Sequence, residues 1–85
     1  MEPHPLNRIS FLTIQSAIQV HRVLGPGLLE SIYRPCIIYE LRERGLNVVA
    51  EQIVPIRYGP LIFKAGYRID LLVEDRVLVE LKAST

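Results

Sequence analysis

The sequence predicts a small α/β domain in α+β order, in which two helices precede a three-stranded, largely antiparallel sheet. Apolar residues recur at helical spacing in the first half of the chain, up to Gly45. β-branched residues then dominate three extended runs, which are separated by turn signals at Gly59-Pro60 and Glu74-Asp75. Strands joined by such short connections pair most economically as antiparallel neighbours, with the helices covering one face of the sheet.

The first helix is predicted to run from about Asn7 to Leu24. Asn7 or Ser10 is expected to cap its start, and Gly25-Pro26-Gly27 to end it. Its apolar face is predicted to contain Ile9, Leu12, Ala17, Val20, Val23 and Leu24, with Phe11, Ile14 and Ile18 close to the same face.

The second helix is predicted within "LLESIYRPCIIYELRERG", residues 28–45, and Gly45 is expected to end it in the left-handed conformation. Its apolar stripe is predicted to contain Leu29, Ile32, Cys36, Ile37 and Leu41. Pro35 lacks a backbone N–H and leaves two alternatives open. It kinks the helix, or the regular helix begins near it.

Length and composition indicate one globular domain, residues 1–85. The net charge is +1 and no basic run is present, which argues against a module that binds nucleic acid through phosphate contacts alone, but not against an enzyme with a local site. Cys36 is the only cysteine, so an internal disulfide is excluded. No apolar run is long enough to cross a bilayer and the start lacks signal-peptide order, so a cytoplasmic protein is expected.

The stretch "DLLVEDRVLVELK", residues 70–82, carries the candidate chemistry. Alternate side chains of a strand share a face, so Glu80 and Lys82 are expected to lie on one side. A two-residue hairpin loop would set Asp70 and Glu80 on opposite faces. A three-residue loop, residues 74–76, would set Asp70 directly across from Glu80, with Cβ atoms ~5 Å apart.

Two carboxylates that close repel one another unless a cation lies between them. Magnesium favours one or two carboxylates together with water and phosphate oxygens, so Mg²⁺ (or Mn²⁺) is the expected cofactor. Lys82 is then expected to hold an attacking water or to offset charge on a phosphoryl group. The alternative is that Glu80 and Lys82 are ordinary residues on the solvated face of an antiparallel sheet.

A second motif adds to these residues. "GPGLLESIY" contains Gly27, Glu30 and Tyr33 in the spacing G-x-x-E-x-x-Y, and the chain from about Ile14 to Lys82 resembles the GxxExxY family of small, mostly prokaryotic proteins. That family is placed in the PD-(D/E)XK nuclease-like superfamily. The resemblance implies a restriction-endonuclease-like core and metal-dependent hydrolysis of phosphodiester bonds in DNA or RNA.

The resemblance also implies roles for particular residues. Asp70 and Glu80 match the two metal-binding acids and Lys82 the catalytic lysine, while Glu30 is similar to a helix acid directed towards the metal. Gly27, Tyr33 and His21 belong to the supporting motif. Tyr33 is expected to support the structure rather than to react, and His21 to be a packed residue rather than a ligand.

Members of the family continue into a further helix and strand after the lysine, so the chain is expected to be a C-terminally truncated core. Two hypotheses of function follow. The first is a metal-dependent nuclease-like domain, which is either active or inactive because it is truncated. The second is a non-catalytic interaction or oligomerisation domain that keeps the nuclease-like fold, with a second copy covering the open edge of the sheet.

Overall fold

The computed structural model describes residues 5–82 and confirms the predicted fold class. Two helices are followed by a three-stranded antiparallel sheet of order β1-β2-β3. The elements are α1 Leu6–Leu24, α2 Glu30–Glu43, β1 Val48–Tyr58, β2 Leu61–Val73 and β3 Val77–Val79. None of the helices described is long and apolar enough to cross a membrane.

Helix α1 begins without a side-chain cap, so the prediction that Asn7 or Ser10 caps it was wrong. Pro5 is the N-cap residue, and its carbonyl accepts the Ile9 N–H at 3.0 Å. The proline ring fixes φ near −60°, which leads the chain directly into the first turn.

The apolar stripe of α1 is narrower than predicted. Ile9 and Val20 are buried, but four other members of the predicted face are more than 40% exposed: Phe11, Ile14, Ile18 and Val23. Ser16 is fully buried instead, and its hydroxyl satisfies itself by donating to the Leu12 carbonyl at 2.8 Å. A three-stranded sheet is thus too small to cover the whole apolar side of α1.

Helix α2 contains Pro35 inside its regular span, so the helix does not begin near the proline. Its C-terminus follows the prediction for Gly45, which has φ 82°. Leu46 N–H donates to the Leu41 carbonyl at 3.1 Å and Gly45 N–H to the Arg42 carbonyl at 3.0 Å, the two bonds of a Schellman motif. Leu41 and Leu46 are both buried, so this turn directs the chain from the helix into the core and on to β1.

The core lies between the two helices and the part of the sheet that contains Val48, Leu71 and Val73. Its buried hydrophobic residues are Ile9, Val20, Ile37, Leu41, Leu46, Val48, Leu71 and Val73. Val48 pairs with Val73 and Ala50 with Leu71, so one face of the β1–β2 pair carries the sheet's share of this core.

The distal part of the β1–β2 hairpin, residues 52–68, extends beyond the helices and is called the arm below. Every residue of the arm is exposed except Val54, which is partly buried. The pairing register shifts between Val54 and Ile56. At this irregularity a Cβ on Gly66 would lie 2.1 Å from Ile56 Cγ1, so only glycine permits this approach of the two strands.

Candidate functional site

The β2–β3 connection sets the geometry of the site. Val73 pairs with Val77 and Leu71 with Val79, which leaves a three-residue loop of Glu74, Asp75 and Arg76. Glu74 and Asp75 take left-handed φ values of 52° and 54°. The three-residue alternative predicted from the sequence is therefore confirmed.

The loop is fixed against the start of β1. Glu74 N–H donates to the Asn47 carbonyl at 2.8 Å, and the Asn47 N–H donates to the Glu74 carboxylate at 2.9 Å. This reciprocal pair of bonds offsets the cost of two non-glycine residues at positive φ, because it satisfies backbone groups that the turn removes from the ladder.

Asp70 is the least exposed acid of the candidate set, with 16% of its side chain accessible. Continuing the β2–β3 register by one step sets its backbone opposite Glu80. Its Oδ2 accepts the Leu81 N–H at 3.0 Å, and its Oδ1 lies 3.9 Å from the Arg68 guanidinium. Asp70 therefore holds the segment that contains Glu80 and Lys82 against β2.

Glu80 follows directly after β3, where the strand ladder no longer fixes its side chain. Its carboxylate accepts a hydrogen bond from the Tyr67 hydroxyl. This bond, followed by the smaller effects of desolvation and of the negative charges of Glu80 and Asp70, raises the pKa of Tyr67 above its ordinary value. The Tyr67 hydroxyl is therefore in direct contact with Glu80, and the negative charge of Asp70 also acts on its pKa.

Lys82 lines a cavity of about 170 Å³ that lies between the two helices and the segment after β3. The cavity is also lined by two residues of the supporting motif, His21 and Tyr33, and by the helix acid Glu30. Its lining consists of Ala17, Val20, His21, Glu30, Tyr33, Ile37, Leu81 and Lys82. The fold thereby brings Glu30 and Lys82 to one cavity, next to the segment that Asp70 holds.

The supporting motif stabilises the turn between the helices. The Tyr33 hydroxyl donates to the Gly25 carbonyl at 2.7 Å and accepts the Leu28 N–H at 3.0 Å. Gly25 and Gly27 adopt φ values of 73° and 94°, which other residues rarely adopt. His21 is exposed on the last turn of α1, and its carbonyl accepts the Gly25 N–H at 2.8 Å, so the expectation of a packed histidine was wrong.

Arg34, which the sequence reasoning did not single out, links Glu30 to the sheet. Its guanidinium lies 3.2 Å from the Glu51 carboxylate on β1 and 4.0 Å from that of Glu30. Only 15% of the Arg34 side chain is exposed, so the pair is screened less than a surface ion pair. The i,i+4 spacing of Glu30 and Arg34 is visible in the sequence, but the contact with Glu51 depends on how α2 packs on β1.

The donor chemistry of the site fits a hard divalent cation, because carboxylate oxygens are what Mg²⁺ prefers and two of them suffice beside water and phosphate. The fit rests on Asp70 and Glu80. Within residues 5–82, no three histidine, cysteine or acidic side chains are grouped so that they could hold a metal ion. The expected convergence of Glu30 with Asp70 and Glu80 is therefore not present in this conformation.

Comparison with known families assigns the chain to a family. A sequence model of the PD-(D/E)XK nuclease superfamily matches residues 7–85, nearly the whole chain. The chain therefore belongs to the PD-(D/E)XK nuclease superfamily. Neither the curated proteins nor the solved structures gave a significant match.

Proposed function

We propose that this protein is a metal-dependent nuclease of the GxxExxY group, which hydrolyses phosphodiester bonds in DNA or RNA. The observation that supports it best is the three-residue β2–β3 loop. Its register, continued by one step, sets Asp70 opposite Glu80, and Lys82 follows Glu80 by two residues. The match to the nuclease superfamily gives this pattern of residues its chemical meaning.

In this proposal Asp70 and Glu80 would hold Mg²⁺ or Mn²⁺, while Glu30 lines the neighbouring cavity together with Lys82. Such an ion, when bound, would supply an activated water and offset the charge of the phosphate. Lys82 orients the attacking water or approaches a non-bridging phosphate oxygen. Arg34 acts as a positioning residue, because it holds the Glu30 carboxylate towards β1.

The experiment that tests the proposal is a cleavage assay with single-stranded DNA, duplex DNA and RNA, each with Mg²⁺, with Mn²⁺ and with EDTA. Asp70→Asn, Glu80→Gln and Lys82→Ala are each expected to lower the rate by at least a hundredfold. Glu43→Gln, at an exposed position on α2, is the matched control and is expected to cleave like the wild type when purified in parallel. Cleavage that survives Asp70→Asn at the wild-type rate would contradict the proposal.

A second candidate function is a non-catalytic interaction domain that retains the nuclease-like fold. The exposed apolar residues of the arm favour it, because a sheet face outside the core is a ready surface for another chain. A homo-oligomer that covers this surface is then expected. Multi-angle light scattering across a concentration range tests it, and a monomer at all concentrations that cleaves nucleic acid would exclude it.

A further inference from the structure

We propose that the arm binds single-stranded nucleic acid along the open edge of β2 and leads it to Asp70 and Glu80. This inference deepens the proposed function, since it names the substrate form and the surface that receives it. Two observations carry it: the placement of aromatic and basic residues on the arm, and the position of its base at the candidate site.

The aromatic side chains of the arm share one face. Tyr58 pairs with Leu61, Ile56 with Phe63 and Val54 with Tyr67, and directly paired residues of an antiparallel ladder lie on the same side. Tyr58, Phe63 and Tyr67 are 76%, 51% and 43% exposed. Exposed aromatic rings on a sheet surface stack with unpaired bases, whereas the bases of a duplex are already stacked on one another.

The basic side chains of the arm lie on the opposite face. Arg57 pairs with Ile62, and Arg68 pairs with Ile53. Lys64 lies an even number of residues from Ile62 and from Arg68 on β2, so its side chain shares their face. Each cation is therefore the sequence neighbour of one aromatic residue: Arg57-Tyr58, Phe63-Lys64 and Tyr67-Arg68. A nucleic-acid strand lying along the open edge of β2 would have aromatic rings on one side and cations on the other.

Charge is segregated between the arm and the rest of the chain. The arm holds three of the ten basic residues and none of the nine acidic ones, which leaves seven basic and nine acidic residues elsewhere. A polyanion complements such a surface. A second copy would also cover the apolar side chains, but its arm carries only cations as well, so charge complementarity between two arms is lacking.

The edge of β2 is open where the proposal needs it. β3 pairs with β2 only at Leu71, Leu72 and Val73 in the part of the chain described. Residues 61–70 of β2 span roughly 30 Å at about 3.3 Å per residue, a length that several nucleotides can follow. The base of this edge is formed by Tyr67 and Arg68, which contact Glu80 and Asp70 respectively.

The test is fluorescence anisotropy of a labelled twelve-nucleotide oligo(dT), titrated with the chain in EDTA and low salt so that binding is measured without metal or cleavage. Phe63→Ala is expected to weaken binding about tenfold. Its matched control is Phe11→Ala on α1, because Phe11 is 53% exposed and lies outside the arm.

Lys64→Ala is expected to weaken binding and to lower the slope of log K against log salt by about 0.7, while Arg22→Ala on α1 leaves both unchanged.

Tyr58→Ala gives a second variant at a side chain that is 76% exposed, so a folding defect of Phe63→Ala does not decide the test. Equal affinity of the wild type and both arm variants would overturn the inference, as would tighter binding to duplex of the same length. A dimer that dissociates on Phe63→Ala, in a chain that does not bind the oligonucleotide, would assign the arm to a second copy and also overturn it.

The result separates this inference from the proposed function. If the arm variants bind the oligonucleotide like the wild type and cleavage still requires metal and Asp70, the arm is not the binding surface. The proposal that the protein is a nuclease then stands. Loss of binding in the arm variants, without cleavage under any metal, would retain the arm and reject the nuclease.

Discussion

At the residue scale, the hydrogen bond from Tyr67 to Glu80 makes part of the stability depend on alkaline pH. The pKa of Tyr67 is raised above its ordinary 10.0 in the folded state, chiefly by that bond. Its contribution is therefore complete below pH 10 and is lost as the pH rises through the folded pKa. We expect the free energy of unfolding to fall more steeply above pH 10 in the wild type than in Tyr67→Phe, as measured by urea denaturation.

Phenolate absorbance at 295 nm checks the same claim directly. In the folded wild type, one component of the tyrosine absorbance should titrate above pH 10. That component should be absent from Tyr67→Phe. Tyr39→Phe is the control, since Tyr39 is 60% exposed on α2. An unchanged highest-pH component in Tyr67→Phe would show that Glu80 does not hold the Tyr67 proton.

Asp70 is predicted to have a structural role that is separable from metal binding. Asparagine keeps an oxygen that can accept the Leu81 N–H, whereas alanine removes the acceptor at a cost of about 1 kcal/mol. We expect amide hydrogen exchange at Leu81 to remain slow in Asp70→Asn and to accelerate in Asp70→Ala. Equal exchange rates in the two variants would mean that the carboxylate does not hold the segment after β3.

At the element scale, the arm depends on the absence of a side chain at residue 66. Gly66→Ala places a Cβ 2.1 Å from Ile56 Cγ1 and 2.7 Å from Ile56 Cβ, and such overpacking costs typically 1–3 kcal/mol. We expect faster amide exchange across the arm with little change at Leu71 and Val73 in the core. Gly59→Ala is the comparison variant, because a Cβ there meets nothing within 4 Å, so its cost comes from φ 57° and not from overlap with another residue.

A uniform acceleration of exchange in both the arm and the core by Gly66→Ala would contradict this account. It would show that the arm unfolds together with the core rather than as a unit with its own lower stability.

At the scale of the whole molecule, local pattern predicted the elements and tertiary packing decided the rest. Helical period, Gly45 and the turn at Gly59-Pro60 predicted the order and most bounds of the elements, because these signals act within a few residues. The β2–β3 register, which leads towards Asp70 opposite Glu80, followed from loop length once the loop proved to have three residues.

The remaining features depend on distant contacts. The exposure of Ile14 and Val23 reflects how little of α1 a narrow sheet covers, and the helical period of the sequence does not contain that information. Likewise, the contacts of Tyr67 with Glu80 and of Arg34 with Glu51 join segments whose approach is set by packing. The flat shape of the molecule, 47 × 40 × 16 Å, has the same origin, because the arm extends beyond the helices.

The central claim is that Asp70 and Glu80 share one metal ion, and a titration with Mn²⁺ monitored by the electron paramagnetic resonance of the free ion tests it most directly. The account predicts saturable binding by the wild type, weakened at least tenfold in both Asp70→Asn and Glu80→Gln and unchanged in Glu43→Gln. No saturable binding by the folded wild type, or equal affinity in all four proteins, would contradict it.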